Sequence, residues 1–188
     1  MNQYCFATVI QRLYRLLSNA DDPCQLIESV CKLLSNEEEF VFVWVDSLQA
    51  FFKDKTICYS KGNLFKNPDC HLIAQHFSEC NNLKEARLNG DLHIINSNKN
   101  DRCVNVINKY FEEKNSAAIL SASIQYNDVL FGHLNLLIKN IHNITDETQL
   151  LIKELASDIA IKLHEIISQI PIQKTSSTLK TDKEEYLK

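Results

Sequence analysis

Glycine is scarce in this chain: three residues in 188, at Gly62, Gly90 and Gly132. A phosphate-cradling loop or a dinucleotide fingerprint needs several glycines in a short span, so both are excluded, and neither G-x-S-x-G nor H-E-x-x-H occurs. The chain is therefore read as a non-enzyme. An excess of positive charge is also missing, because 20 Lys and Arg stand against 24 Asp and Glu, and they form no basic stripe. Phosphate backbones attract such stripes, which argues against nucleic acid as a partner. No apolar run approaches the roughly 20 residues of a membrane helix, and Arg12 and Arg15 interrupt the first apolar pattern, so no signal peptide or span is expected. The expected setting is cytoplasmic, with no membrane partner. Cysteine itself is plentiful, but its seven copies are an odd, scattered set without a C-x-x-C pair. Most are expected to be reduced thiols, several of them filling the core.

What is present suits one buried core with extra helices or a tail: 188 residues, 45% of them hydrophobic. From Tyr4 to Leu17, apolar residues at Phe6, Val9, Ile10, Leu13, Leu16 and Leu17 recur every three or four positions and predict a helix. Asp22 followed by Pro23 and Gln25 reads as the cap of a second helix, with Leu26, Ile27, Val30, Leu33 and Leu34 on its buried side. The segment F-V-F-V-W-V-D, Phe40 to Asp46, is too short for a helix and dense in β-formers, so it reads as a central strand. A second strand is expected near Phe51 to Tyr59.

Between Ser60 and Asn115 the pattern is irregular. Turn chemistry surrounds a helical piece at His71 to Cys80, a short strand at Leu92 to Ile95 and a helix at Val104 to Glu113. Two strands then meet at Tyr126-Asn127-Asp128, where Asn and Asp tolerate the positive φ of a tight hairpin. Thr145, with Asp146 and Glu147 behind it, caps a long helix whose apolar seam runs through Ile152, Leu155, Ile159, Leu163, Ile166 and Ile170 to Pro171. The expected organisation is an N-terminal helix over 1–20, a domain over 21–170 that includes the long C-terminal helix, and a polar tail or linker over 171–188.

The runs FVFVWVDSL, LHIINSNKNDRC, SAAILSASIQYNDVLFGHLNLLI and ITDETQLLIKELASDIAIKLHEI together resemble a GAF domain of bacterial and archaeal sensor kinases, over about Ile27 to Ile167. Gly132, Leu134, Asn135, Leu136, Leu150, Leu151, Leu155, Ala156, Ile159 and Ala160 carry the resemblance. Two positions depart from the pattern: Ser123 replaces a usual proline, and Cys103 a usual aromatic. The resemblance implies an α+β fold with a central antiparallel sheet of about five or six strands. It also implies terminal helices packed on one sheet face, a small-molecule pocket on the other, and signal transduction rather than catalysis.

Alternation along the hairpin puts Leu130, Leu134, Leu136 and Ile138 toward the helices, and Phe131, His133, Asn135 and Leu137 away from them. Ser121 and Ser123 join His133 and Asn135 on that second face, which must be solvated, internally paired or occupied by a ligand. The candidate ligand residues are Trp44, Tyr59, Asp101, Arg102, Cys103, Ser121, Ser123, His133 and Asn135. For Asp101 and Arg102 a solvated helix-capping pair before Val104 is the reading the residues favour over a ligand contact. The candidate dimer residues are Leu13, Ile152, Leu155, Ile159, Leu163 and Ile166, since their seam is nearly heptad-like. Partners are thus a small molecule, a second copy in a homodimer, and an output domain or protein.

Cofactor identity stays open. Cys70, His71, His76 and Cys80 form C-H-x-x-x-x-H-x-x-x-C, a weak zinc pattern without a close cysteine pair. Cys70-His71 is similar to the bilin attachment dipeptide of phytochrome-like domains, while Val104 after Cys103 departs from it. Haem has no axial ligand singled out by spacing. Two other functions fit the chain: a ligand-free structural dimerisation module, and a redox sensor or reductase working through Cys58 or Cys103.

Overall fold

The computed structural model describes residues 3–37, 39–46, 57–60, 92–96, 118–138, 140, 142 and 144–169. Helix α1 is Gln3–Asn19 and α2 is Pro23–Leu34; the strands are β1 Phe40–Asp46, β2 Ile57–Ser60, β3 Leu92–Asn96, β4 Ala118–Tyr126 and β5 Val129–Ile138, and α3 is Asp146–Gln169. The helical pieces expected at His71 to Cys80 and Val104 to Glu113, the start of the second strand at Phe51 and the tail over 171–188 lie outside the described residues.

Local chemistry accounts for the helix starts. The amide of Gln25 donates to Asp22 Oδ1 at 2.8 Å while Pro23, which has no N–H to satisfy, opens α2. The amide of Thr148 donates to Thr145 Oγ1 at 3.2 Å, and Asp146 and Glu147 complement the positive end of α3. The β4–β5 turn takes positive φ at both central residues, 47° at Asn127 and 61° at Asp128. That geometry matches the right-handed twist of the strands it joins.

The described strands form one sheet in the order β2-β1-β5-β4-β3, every neighbouring pair antiparallel. On one face, Phe40, Val43, Val45, Leu120, Ala122, Leu134 and Leu136 pack with Leu13, Ile27, Val30, Ile159 and Leu163 of the helices. Most of these are fully buried, and at about 1.5–3 kcal/mol per large apolar side chain this face is a main source of stability. Cys31 is wholly buried there, among the core residues.

Two register shifts change which residues belong to which face. The first, between Phe40 and Phe42 in β1, leaves Phe40 with the helices and Phe42 on the second face. The other lies between Ile124 and Gln125 in β4, opposite Gly132 and Leu130 of β5, so Phe131 falls between the paired positions. Strict alternation consequently fails there. Phe131 is buried in the helix-side core, and Leu130, expected in that core, is 49% exposed. A bulge inserts one residue and reverses the facing of what precedes it.

Candidate functional site

The second face is a grid of cross-strand neighbours. Asn135 of β5 pairs with Trp44 of β1 on one side and with Ser121 of β4 on the other, and His93 of β3 pairs with Ser121. In the next row toward the end of β1, Asp46, His133 and Ser123 stand side by side. On the opposite flank Phe42, Leu137, Ile119 and Ile95 make an apolar row. None of these side chains belongs to the helix-side core, yet Trp44 and Asn135 are 0% exposed, Ser121 is 1% and His133 is 5%. A solvated sheet face, one of the readings left open by the sequence, is therefore ruled out.

Hydrogen bonds tie the polar rows across three strands. Ser121 Oγ donates to Asn135 Oδ1 at 2.7 Å, and Asn135 Nδ2 donates to the carbonyl of His133 at 3.0 Å and to that of Trp44 at 3.4 Å. Trp44 Nε1 donates to Asp46 Oδ2 at 3.2 Å, and His133 Nδ1 stands 3.8 Å from Asp46 Oδ1. The Trp44 and Phe42 rings stack at 5.2 Å between centroids, fixing the indole. Ser123 and His93 are partly exposed and form the approachable part of the grid.

The structure thus brings together Trp44, Ser121, Ser123, His133 and Asn135. It adds Asp46, which the sequence reading used only as the end of a strand, and His93, which it did not consider. The sequence carried no signal for Asp46, since a carboxylate that ends an apolar strand ordinarily faces solvent. Tyr59 pairs in register with Val43, one position off the Trp44 row, where Cys58 stands instead. Asp101, Arg102 and Cys103 lie outside the described residues, as do Cys70, His71, His76 and Cys80. Among the described residues no group of three or more His, Cys, Asp or Glu is arranged to hold a metal.

The candidate dimer residues are placed differently from expectation. Leu13, Ile152, Leu155, Ile159, Leu163 and Ile166 are all buried within a single chain, and α3 lies across β4. Their near-heptad spacing serves the chain's own core and leaves no free seam. The outward side of the helices instead shows Tyr14 at 56%, Leu150 at 57% and Ile161 at 37% exposure. Between α1 and α3, Tyr14, Glu154 and Asp158 rim a small cavity floored by Leu13, Leu17 and Leu155. Burial pushes the Asp158 carboxyl up from its ordinary value, the charge of Glu154 adds to this, and a hydrogen bond from Tyr14 opposes it.

With its antiparallel sheet, helix-covered face and closing helix, the chain has a GAF-like fold. It is similar to the bacteriophytochrome RpBphP3 from R. palustris, with a TM-score of 0.57 and 11% identity over 88% of this chain and 38% of that one. It is likewise similar to the chromophore-binding domain of RpBphP3, with a TM-score of 0.57 and 11% identity over 89% of this chain and 64% of that one. The A. aeolicus nlh2 GAF domain in an inactive state aligns over 86% of this chain and 94% of that one, at 14% identity and a TM-score of 0.49. This chain spans well under half the length of the bacteriophytochrome. No protein-family model and no curated protein matches the sequence. No described helix is long and apolar enough to cross a membrane.

Proposed function

We propose that the chain is a sensory or regulatory domain that binds a small molecule over the second face of its sheet and passes occupancy to its terminal helices in a homodimer, for an output domain or protein to read. The observation that carries this reading is the polar row Asp46, His133 and Ser123, with Trp44 and Asn135 beside it, all on the face opposite the helices. Small-molecule sites are apolar clefts with a few convergent polar groups, and this face has that composition. Likeness in fold to a domain named for binding a chromophore supports the same reading, without assigning a cofactor here.

Signalling would be a population shift: the ligand favours one arrangement of strands, and the packing of α1 against α3 follows. The dimer contact is assigned to the exposed side of the helices, where Leu150 and Ile161 lie eleven residues apart, three helical turns, on one stripe. One observation favours a ligand-free dimerisation module instead, namely that Ser121, Asn135 and Trp44 already bond one another.

Thermal unfolding against a panel of small metabolites tests the proposal. A ligand at 100 times its Kd should stabilise the fold by about 2.7 kcal/mol. Ser123→Trp, which fills the approachable edge, should abolish that gain. Stabilisation that survives Ser123→Trp and His133→Ala would place binding elsewhere and overturn the reading.

A further inference from the structure

Helix α1 carries no acidic residue, and its charges are Arg12 and Arg15, one turn apart and both exposed. They line an open groove of about 440 Å³ between α1 and α2, whose apolar side includes Leu16, Leu26 and Leu33. Asp21 and Asp22 stand at its loop end, where Asp22 is occupied in capping α2. On α3, Glu147, Leu150 and Glu154 follow one another at spacings of three and four, which places them on one stripe, and all are exposed, Leu150 at 57%. Ile161 continues that stripe two turns beyond Glu154. The two surfaces lie on different sides of α1: Tyr14 meets Glu154 and Asp158 of α3, whereas Arg12 and Arg15 belong to the groove beside α2. Among the described residues, none of Arg12, Arg15, Glu147 and Glu154 forms an ion pair. An exposed leucine between two carboxylates therefore has its complement, a leucine-lined groove with two guanidinium groups, on a part of the surface that its own chain does not bring to it.

We propose that α3 of each copy lies in the α1–α2 groove of the other, with Leu150 on the groove's leucines and Glu147 and Glu154 against Arg12 and Arg15. This contact rests on the homodimer proposed above and supplies the surface through which it forms. A two-fold axis makes the contact twice, since each copy offers both the stripe and the groove. Exposed ion pairs contribute little by themselves, so Leu150 and the groove supply the affinity while the charges set the register.

Sedimentation of the intact chain tests the contact, and the wild type should run as a dimer. Arg12→Glu with Arg15→Glu sets like charges together at both contacts and should weaken dimerisation by on the order of a hundredfold; Glu147→Arg with Glu154→Arg should do the same. Mixed in equal amounts, the two variants should form a heterodimer, because one contact then has both signs reversed and the other has both as in the wild type. Circular dichroism checks each fold, and Glu154→Arg alone replaces the second pair if an arginine in the first turn of α3 unfolds it. A monomeric wild type overturns the homodimer and this contact together. A dimer that both variants keep, or that their mixture fails to restore, overturns the contact alone and leaves the homodimer to another surface.

Discussion

Asn135 is the residue on which the second face turns. Its amide spans β4, β5 and β1 at once, accepting from Ser121 and donating to the carbonyls of His133 and Trp44. Removing one partner of a buried hydrogen bond leaves the other desolvated, at about 1–3 kcal/mol. Ser121→Ala is therefore expected to lower stability by about 1 kcal/mol and Asn135→Ala by about 1–3 kcal/mol, both read from urea denaturation. The double variant should cost less than the sum, because the Ser121–Asn135 bond is counted in each single change. Strict additivity would show that the bond contributes nothing. The shared face of Ser121, Ser123, His133 and Asn135 was legible in the sequence because side chains two apart in a strand point the same way. The role of Asp46 was not, because it depends on which residue of β5 the register sets across from it.

Among the elements, the hairpin and the helix caps were legible and the facing of residues near the bulges was not. Caps and turns depend on side chains within a few positions of one another, whereas a bulge is set by the partner strand. Phe40, Phe42 and Trp44 look like one face by alternation, yet the register shift at Val41 divides them. Asp128 holds a φ of 61° that costs most non-glycine residues energy. Asp128→Gly should raise stability by up to about 1 kcal/mol in the same denaturation assay. On α3, the seam expected to pair chains is spent inside one chain, since periodicity alone cannot distinguish a partner helix from the chain's own sheet. Ile159→Lys should accordingly unfold the protein, whereas Ile161→Lys should leave the circular dichroism native and, if the proposed contact holds, shift sedimentation to the monomer. At the α1–α3 junction, the raised Asp158 carboxyl binds its proton more tightly in the folded chain than in the unfolded one. Its contribution to stability is fully present below the unfolded pKa and is lost as pH rises through the folded value. Asp158→Asn should therefore flatten this part of the melting-temperature profile on the acid side and gain relative to wild type at neutral pH. An unchanged profile would remove Asp158 from the account.

For the whole molecule, one sheet carries two buried faces with different work. The helix side is apolar and holds the fold, while the other mixes Phe42, Trp44, Ile119 and Leu137 with Asp46, His133, Asn135 and Ser121. The GAF-like order of elements was readable because it rests on strongly patterned segments, the apolar helices and the β4–β5 hairpin. Ligand identity was not readable, since a row of serine, histidine, asparagine and aspartate suits many small molecules alike. The central claim is that the second face holds a small molecule. Its most direct test is native mass spectrometry of freshly purified protein beside the same sample denatured. The account predicts a mass above that of the polypeptide which denaturation releases and Ser123→Trp prevents from binding. A bare polypeptide mass, with Ser123→Trp as stable as the wild type, would contradict it and leave the face as structural packing.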